Sequence, residues 1–167
     1  MRIGILTISD RSSNGERPDL SGPALADLIK SQGWTVVRME IIPDELQVIK
    51  DRLFTWSDLK DLDLILTTGG TGFSPRDITP EATLQVIERE APGLTEAMRA
   101  ASLKVTPYAM MSRALAGIKR QTLIVNLPGS PRAAVENLNV ILQVLEHAVA
   151  LLSEDPGAEA GHSFDSK

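Results

Sequence analysis

An apolar run, Leu64-Ile65-Leu66, leads directly into Thr67-Thr68-Gly69-Gly70-Thr71-Gly72, an arrangement suited to holding an anion. Glycines at such a point permit positive φ and close backbone approach, and successive exposed amides form a concavity that accepts phosphate. No Gly-Lys-Ser/Thr follows, so the loop is not a Walker A segment, and its glycine spacing is not that of the dinucleotide fingerprint. Taken alone, it reads equally well as a tight turn leaving a strand. The next residues, Phe73 to Glu81, place Arg76 and Asp77 between this loop and a helix start. Thr79, Pro80 and Glu81 read as N-cap, first helical proline and first-turn acid. Asp77 is then free to act as a metal ligand and Arg76 as a charge clamp beside phosphate. The plainer alternative is a solvated turn pair.

Three further segments resemble this one in logic. Pro43-Asp44-Glu45-Leu46-Gln47 follows an apolar run, and Asp44 with Gln47 forms a capping-box-like pattern. A helix cap at Asp44 is compatible with metal or substrate contact, since Mg²⁺ bound mainly by phosphates and water needs only one or two carboxylates. Asn126-Leu127-Pro128-Gly129-Ser130-Pro131 precedes a long helical pattern beginning near Arg132. Such a turn offers free amides and the positive end of a helix dipole to an anion, or is an ordinary connection with Ser130 as cap. Ser9-Asp10-Arg11 leaves the first apolar run, where Asp10 binds a ligand or caps a turn. Arg76, Arg113 and Arg132 are the candidate cations.

Strands alternating with helices must position these segments, which predicts an α/β domain with a largely parallel sheet. The strands are Ile3–Ile8, Thr35–Ile42, Leu62–Thr67 and Thr122–Leu127. The second alternates in polarity and belongs near an edge. Helices are expected over Pro23–Gln32, stopped by Gly33, and over Glu45–Trp56. A third should run from Thr79 to near Pro92-Gly93, and a fourth from Leu94 to Lys104. The last, about Arg132–Leu152, carries Val135, Leu138, Ile141, Leu142, Leu145 and Val149 in one stripe. Parallel strands send Asp10, Asp44, the glycine loop and the Pro128-Gly129 turn to one rim, where open α/β sheets bind ligands. Met110 and Met111 with Ala109 read as core filling, Trp34 and Trp56 as core or interface, and His147 as a half-buried helix residue. Residues 1–152 form one domain, and Ser153–Lys167 reads as a disordered acidic tail.

Composition removes several chemistries. There is no cysteine, and the only histidines are His147 and His162, so thiolate catalysis, disulfides and Cys/His zinc sites are excluded. A Ser/His/Asp hydrolase is nearly excluded as well. The net charge is −5, with four of the acids against one lysine in the tail, and no basic block. That balance argues against nucleic-acid binding. The first apolar stretch is too short for a signal segment, and no run approaches the roughly 18 apolar residues of a membrane span. A cytoplasmic protein without membrane contact is expected.

On these residues the chain resembles the molybdopterin adenylyltransferases of molybdenum-cofactor synthesis, including the G domains of the plant cofactor proteins and of gephyrin. The resemblance runs through Ile5 to Asp10, Ser21-Gly22-Pro23, Pro43-Asp44-Glu45, Asp63 to Thr67, Gly69 to Gly72 and Arg76 to Thr83, then Ser112-Arg113, Gly117-Ile118 and Asn126 to Gly129. It implies a three-layer α/β/α homotrimer that moves AMP from ATP to the terminal phosphate of molybdopterin with Mg²⁺, releasing pyrophosphate. It also implies a downstream molybdate-insertion protein as partner. The family's two functional acids fall on Asp44 and Asp77, as catalytic and metal-binding residues. Its glycine loop falls on Gly69, Gly70, Thr71 and Gly72, and its ligand-binding proline-glycine turn on Pro128, Gly129, Ser130 and Pro131; Ser9, Asp10, Arg76, Ser112, Arg113, Asn126 and Arg132 complete the expected binding residues. One bacterial form inserts a segment before the final helix; here Arg132 begins it at once, as in the G domains. A non-catalytic binding or scaffold protein of the same fold, and a nucleotide hydrolase, are the alternatives.

Overall fold

The computed structural model describes residues 1–154. Six strands, β1 (Arg2–Ile8), β2 (Thr35–Ile42), β3 (Leu64–Thr68), β4 (Arg89–Glu90), β5 (Ala116–Lys119) and β6 (Thr122–Leu127), form one sheet in the order β2-β1-β3-β6-β5-β4. Pairing is parallel from β2 through β6 and antiparallel across β6-β5-β4. Helices are α1 (Asp10–Ser13), α2 (Ser21–Ser31), α3 (Leu46–Asp58), α4 (Thr79–Leu84), α5 (Pro92–Leu103) and α6 (Pro131–Leu152), with a 3₁₀ turn at Pro107–Met111.

The period-two pattern of the strands divides the core into two layers. Ile3, Ile5, Leu64, Leu66, Leu123 and Val125 point to one face, where Leu25 and Ile29 of α2, Met98 of α5 and the Leu138, Ile141 and Leu145 stripe of α6 cover them. Leu6, Ile8, Ile65 and Ile124 point to the other, against Ile49, Leu53 and Trp56 of α3 and Ala82 of α4. Both tryptophans are core residues, and Trp34 Nε1 donates to Glu146 Oε1 at 2.8 Å, tying the β2 entry to α6. Alternation in β2 reflects its place at the sheet edge. Gly33, at φ +75°, ends α2 as expected.

Some expectations are corrected. The third helix ends at Leu84 instead of near Pro92, because the chain then turns to pair Arg89 and Glu90 with β5. Strands β4 and β5 were not expected from sequence. Gly117 in β5 is required there: a Cβ would lie 2.8 Å from the Arg89 carbonyl oxygen and 2.5 Å from Ile87. Met110 and Met111 are exposed on the 3₁₀ turn and fill no core. Helix α6 is long and apolar enough, by length and composition, to cross a membrane; Leu138, Ile141 and Leu145 seat it on the sheet, while Val144 and Leu151 are exposed. Its last residue, Leu152, is where the sequence places the end of this helix, and Ser153 is its C-cap. The expected acidic tail from residue 155 on, with His162, lies outside the described residues, whereas His147 is half-buried on α6.

Candidate functional site

Strand β1 lies between β2 and β3, so the connections leaving it diverge and open a crevice at the carboxyl ends of the strands. A cleft of about 550 Å³ occupies it. Ser9, Asp10, Asp44, Gly69, Gly70, Arg76, Asp77, Gly129 and Ser130 all line it, brought together from separate connections.

The glycine loop is built by close backbone contacts. Gly69 (φ +105°) and Gly70 (φ +62°) both adopt conformations that favour glycine. A Cβ on Gly69 would lie 2.2 Å from the Ile8 carbonyl oxygen. The loop is fixed to α4, because Thr79 Oγ1 donates to the Gly69 carbonyl at 2.9 Å and the Thr79 amide donates to the Gly70 carbonyl at 3.0 Å. It is also fixed to the Pro128 turn, since Thr68 Oγ1 donates to the Pro128 carbonyl at 2.7 Å. A Cβ on Gly129 would be only 3.2 Å from the Gly69 Cα. Gly69→Ala should therefore destabilise the fold by about 3 kcal/mol, since backbone strain is joined by a backbone clash. Gly15→Ala, also at positive φ (+76°) but with open space around it, should cost only about 1 kcal/mol. Urea denaturation of the two variants checks the difference, and equal losses would mean that the Ile8 contact is not rigid.

Asp44 is nearly buried, at 9% exposure, and does not cap α3, whose N-cap is Glu45. Its carboxylate is drawn the other way: Oδ2 accepts from the Asp10 amide at 2.8 Å, while the Asp44 amide donates to Asp10 Oδ1 at 3.0 Å. This reciprocal pair joins the ends of β1 and β2. Burial raises the Asp44 pKa above the ordinary 3.8, the hydrogen bond with Asp10 opposes this, and the charges of Asp10 and Asp77 add to the rise. Asp10 is instead held below the usual range by Arg76, whose Nε and Nη2 donate to both of its carboxylate oxygens at 2.9 and 2.8 Å. Asp77 Oδ2 accepts from the Ser74 amide at 2.9 Å, closing the turn ahead of α4. Arg76 thus clamps Asp10, not Asp77. The expected Thr79 cap is also corrected, since Ile78 occupies that position and the Thr79 hydroxyl serves the glycine loop. Ser130 stands at the α6 N-cap, but its hydroxyl makes no capping bond.

The remaining sequence candidates lie elsewhere. Thr71, Gly72, Ser112 and Pro128 line a neighbouring, more apolar pocket of about 300 Å³ beside α5 and the 3₁₀ turn. Asn126 is fully buried, donating to Thr67 Oγ1 and Thr83 Oγ1 at 3.0 and 2.9 Å while accepting from the Leu115 amide. Arg113 braces the loop: Nε donates to the Gly72 carbonyl at 2.7 Å, Nη2 to the Asp77 carbonyl, and Nη1 pairs with Glu81. Arg132 is an exposed partner of Glu136. Sequence reasoning missed Arg11, Arg17 and Asp19, which line the cleft; the Asp19-Leu20-Ser21 spacing ahead of α2 was a readable capping signal for the last.

A family profile described as a probable molybdopterin binding domain matches residues 4–147. The chain belongs to this family. Gephyrin of Dictyostelium discoideum is 43% identical over 99% of the chain, which spans only 24% of that larger protein. A protein of Helicobacter pylori strain J99 named molybdopterin adenylyltransferase is 41% identical, with 91% of this chain and 88% of that one aligned. The crystal structure of the molybdopterin biosynthesis enzyme MoaB of Thermus thermophilus superposes with a TM-score of 0.87 at 48% identity, covering 93% of this chain and 98% of that one. The α/β architecture with a mostly parallel sheet is the family's fold.

The Asp44 environment sets a pH dependence for any reaction that uses its carboxylate. A raised folded-state pKa means that the native state binds the proton more tightly than the unfolded chain does. Asp44 therefore disfavours folding above its folded pKa, and that cost is relieved as pH falls through it. Activity runs the opposite way, with an acid limb centred above 3.8 that Asp44→Asn should remove from the residual kcat/KM profile. An acid limb unchanged in that variant would assign it to another group.

Proposed function

We propose that this domain transfers the adenylyl group of ATP to the terminal phosphate of molybdopterin, releasing pyrophosphate. The observation that carries the reading is the convergence of Asp44 and Asp77 with the Gly69-Gly70 and Gly129 turns around one cleft, in a family whose bacterial relative bears that activity in its name. The nucleophile is a phosphate oxygen, already ionised at neutral pH, so no general base is needed and the absence of histidine from the cleft is no obstacle. Catalysis then rests on positioning and charge, as in phosphoryl transfer generally. The glycine turns bring backbone to the cleft wall, Ser130 leaves its hydroxyl uncommitted to the cap, and the Asp10–Asp44 pair holds the first carboxylate in register.

Asp44 and Asp77 are the residues that would hold Mg²⁺. A nearly buried carboxylate raised in pKa by burial and by two neighbouring acids suits a hard cation. Among the described residues no three acidic or histidine side chains form a ready metal cage, which fits an ion carried mainly by phosphate oxygens and water. Bound there, the ion supplies charge neutralisation between the reacting phosphates. A cytoplasmic homotrimer that passes its product to a molybdate-insertion protein is part of the same proposal. Incubation with molybdopterin and MgATP, followed by mass spectrometry, should reveal adenylylated molybdopterin. ATP consumption without that product would point to hydrolysis instead.

A further inference from the structure

Resting on this transfer reading, we infer that Arg11 and Arg17 form the seat for the nucleotide's polyphosphate, the part that departs as pyrophosphate. Both line the cleft and are exposed to it. Neither guanidinium makes an ion pair or hydrogen bond to a described residue, whereas Arg76, the third arginine of the cleft, is committed to Asp10.

The segment that carries them is anchored at both ends. Ser9 Oγ accepts from the Ser12 amide at 3.2 Å, capping α1. The chain then reverses at Gly15, so that the amides of Glu16 and Arg17 both donate to the Arg11 carbonyl at 2.9 and 3.2 Å. This brings the backbones of Arg11 and Arg17 side by side. Asp19 secures the far end: Oδ1 accepts from the Ser21 and Gly22 amides at 3.0 and 3.1 Å, and Oδ2 from Thr7 Oγ1 at 2.7 Å. Gly22 is required for that approach, since a Cβ would lie 2.5 Å from Asp19 Oδ2. The loop therefore holds two cations over the cleft, while Asp19 is consumed by local donors.

The reaction creates a matching demand. An oxygen of the acceptor's terminal phosphate bonds to the α-phosphorus, and the bond from that phosphorus to the bridging oxygen breaks. The electron pair leaves with pyrophosphate, and no proton moves. Negative charge grows on the leaving group, which calls for donors not already paired with carboxylates, and the guanidinium fork matches phosphate oxygens.

Titration calorimetry of the full chain with inorganic pyrophosphate, and separately with AMP, both with Mg²⁺, tests this in wild type, Arg11→Gln, Arg17→Gln and the double variant. The double variant should bind pyrophosphate at least about tenfold more weakly and AMP within about twofold of wild type. Its KM for ATP should rise while its KM for molybdopterin stays put. Melting temperature should not move, because the loop's bonds run through the Arg11 carbonyl. Unchanged pyrophosphate affinity, no measurable binding by wild type, an equal loss for AMP, or a loss confined to the KM for molybdopterin would each overturn the inference. Failure of wild type to adenylylate molybdopterin would overturn the transfer reading separately, since the pyrophosphate titration needs no molybdopterin and decides the seat either way.

Discussion

Excess EDTA should slow adenylyl transfer by about a thousandfold, equivalent to roughly 4 kcal/mol of barrier, while leaving the far-UV circular dichroism and melting temperature unchanged. The separation of the two effects follows from the donor set. The chain has no cysteine, and among the described residues no group of three acids or histidines is placed to hold a metal, so folding is expected to be independent of one. The two-layer core is apolar and complete without one. The cleft, by contrast, sets Asp77 close enough to Asp44 to raise its cost of ionisation, and the phosphates add more negative charge. Turnover undiminished in chelator would remove the cation from the mechanism; a lost melting transition would make it structural.

Asp44→Asn and Asp77→Asn should each slow turnover by about a hundredfold, or roughly 2.7 kcal/mol, with little loss of stability. The geometry makes asparagine a fair probe. Asp44 accepts from the Asp10 amide through one oxygen, and an amide oxygen can do the same. Because burial already penalises the charged form, Asp44→Asn should melt at or slightly above wild type near neutral pH. Asp77 accepts from the Ser74 amide in a turn that asparagine also supports. Near-normal turnover in both variants would exclude these carboxylates, and a large drop in melting temperature for Asp77→Asn would return that residue to a structural role.

Much of the fold was legible because buried parallel strands and a long amphipathic helix leave strong periodic signals: Thr35–Ile42 and Thr122–Leu127 match their strands residue for residue. What escaped was set by contacts distant in sequence. Arg89 and Glu90 become a strand only because β5 lies beside them, and Val86 and Ile87 continue a helical pattern that the chain abandons after Leu84. At the site, residue types near strand ends singled out the glycine loop, Asp10, Asp44 and Asp77, and the structure brings Gly69, Gly70 and these acids to one cleft, but their pairings were not legible. Asp44 looked like a cap because Gln47 stands three residues on; in the fold, Gln47 donates to Asp51 at 2.7 Å and Asp44 turns to Asp10. Asn126 stood in a suggestive turn, yet its hydrogen bonds reach across to β3 and α4. Arg11 and Arg17 carry no local pattern, and only the reversal at Gly15 brings them over the cleft.

Parallel incubations with ATP radiolabelled at the α-phosphate and at the γ-phosphate, each with molybdopterin and Mg²⁺, test the central claim most directly. The α-label should appear on molybdopterin and the γ-label in pyrophosphate, in equal amounts, with neither transfer seen in Asp44→Asn on the same timescale. Release of the γ-label as inorganic phosphate, or an α-label that remains in free nucleotide while ATP is consumed, would contradict adenylyl transfer at this cleft.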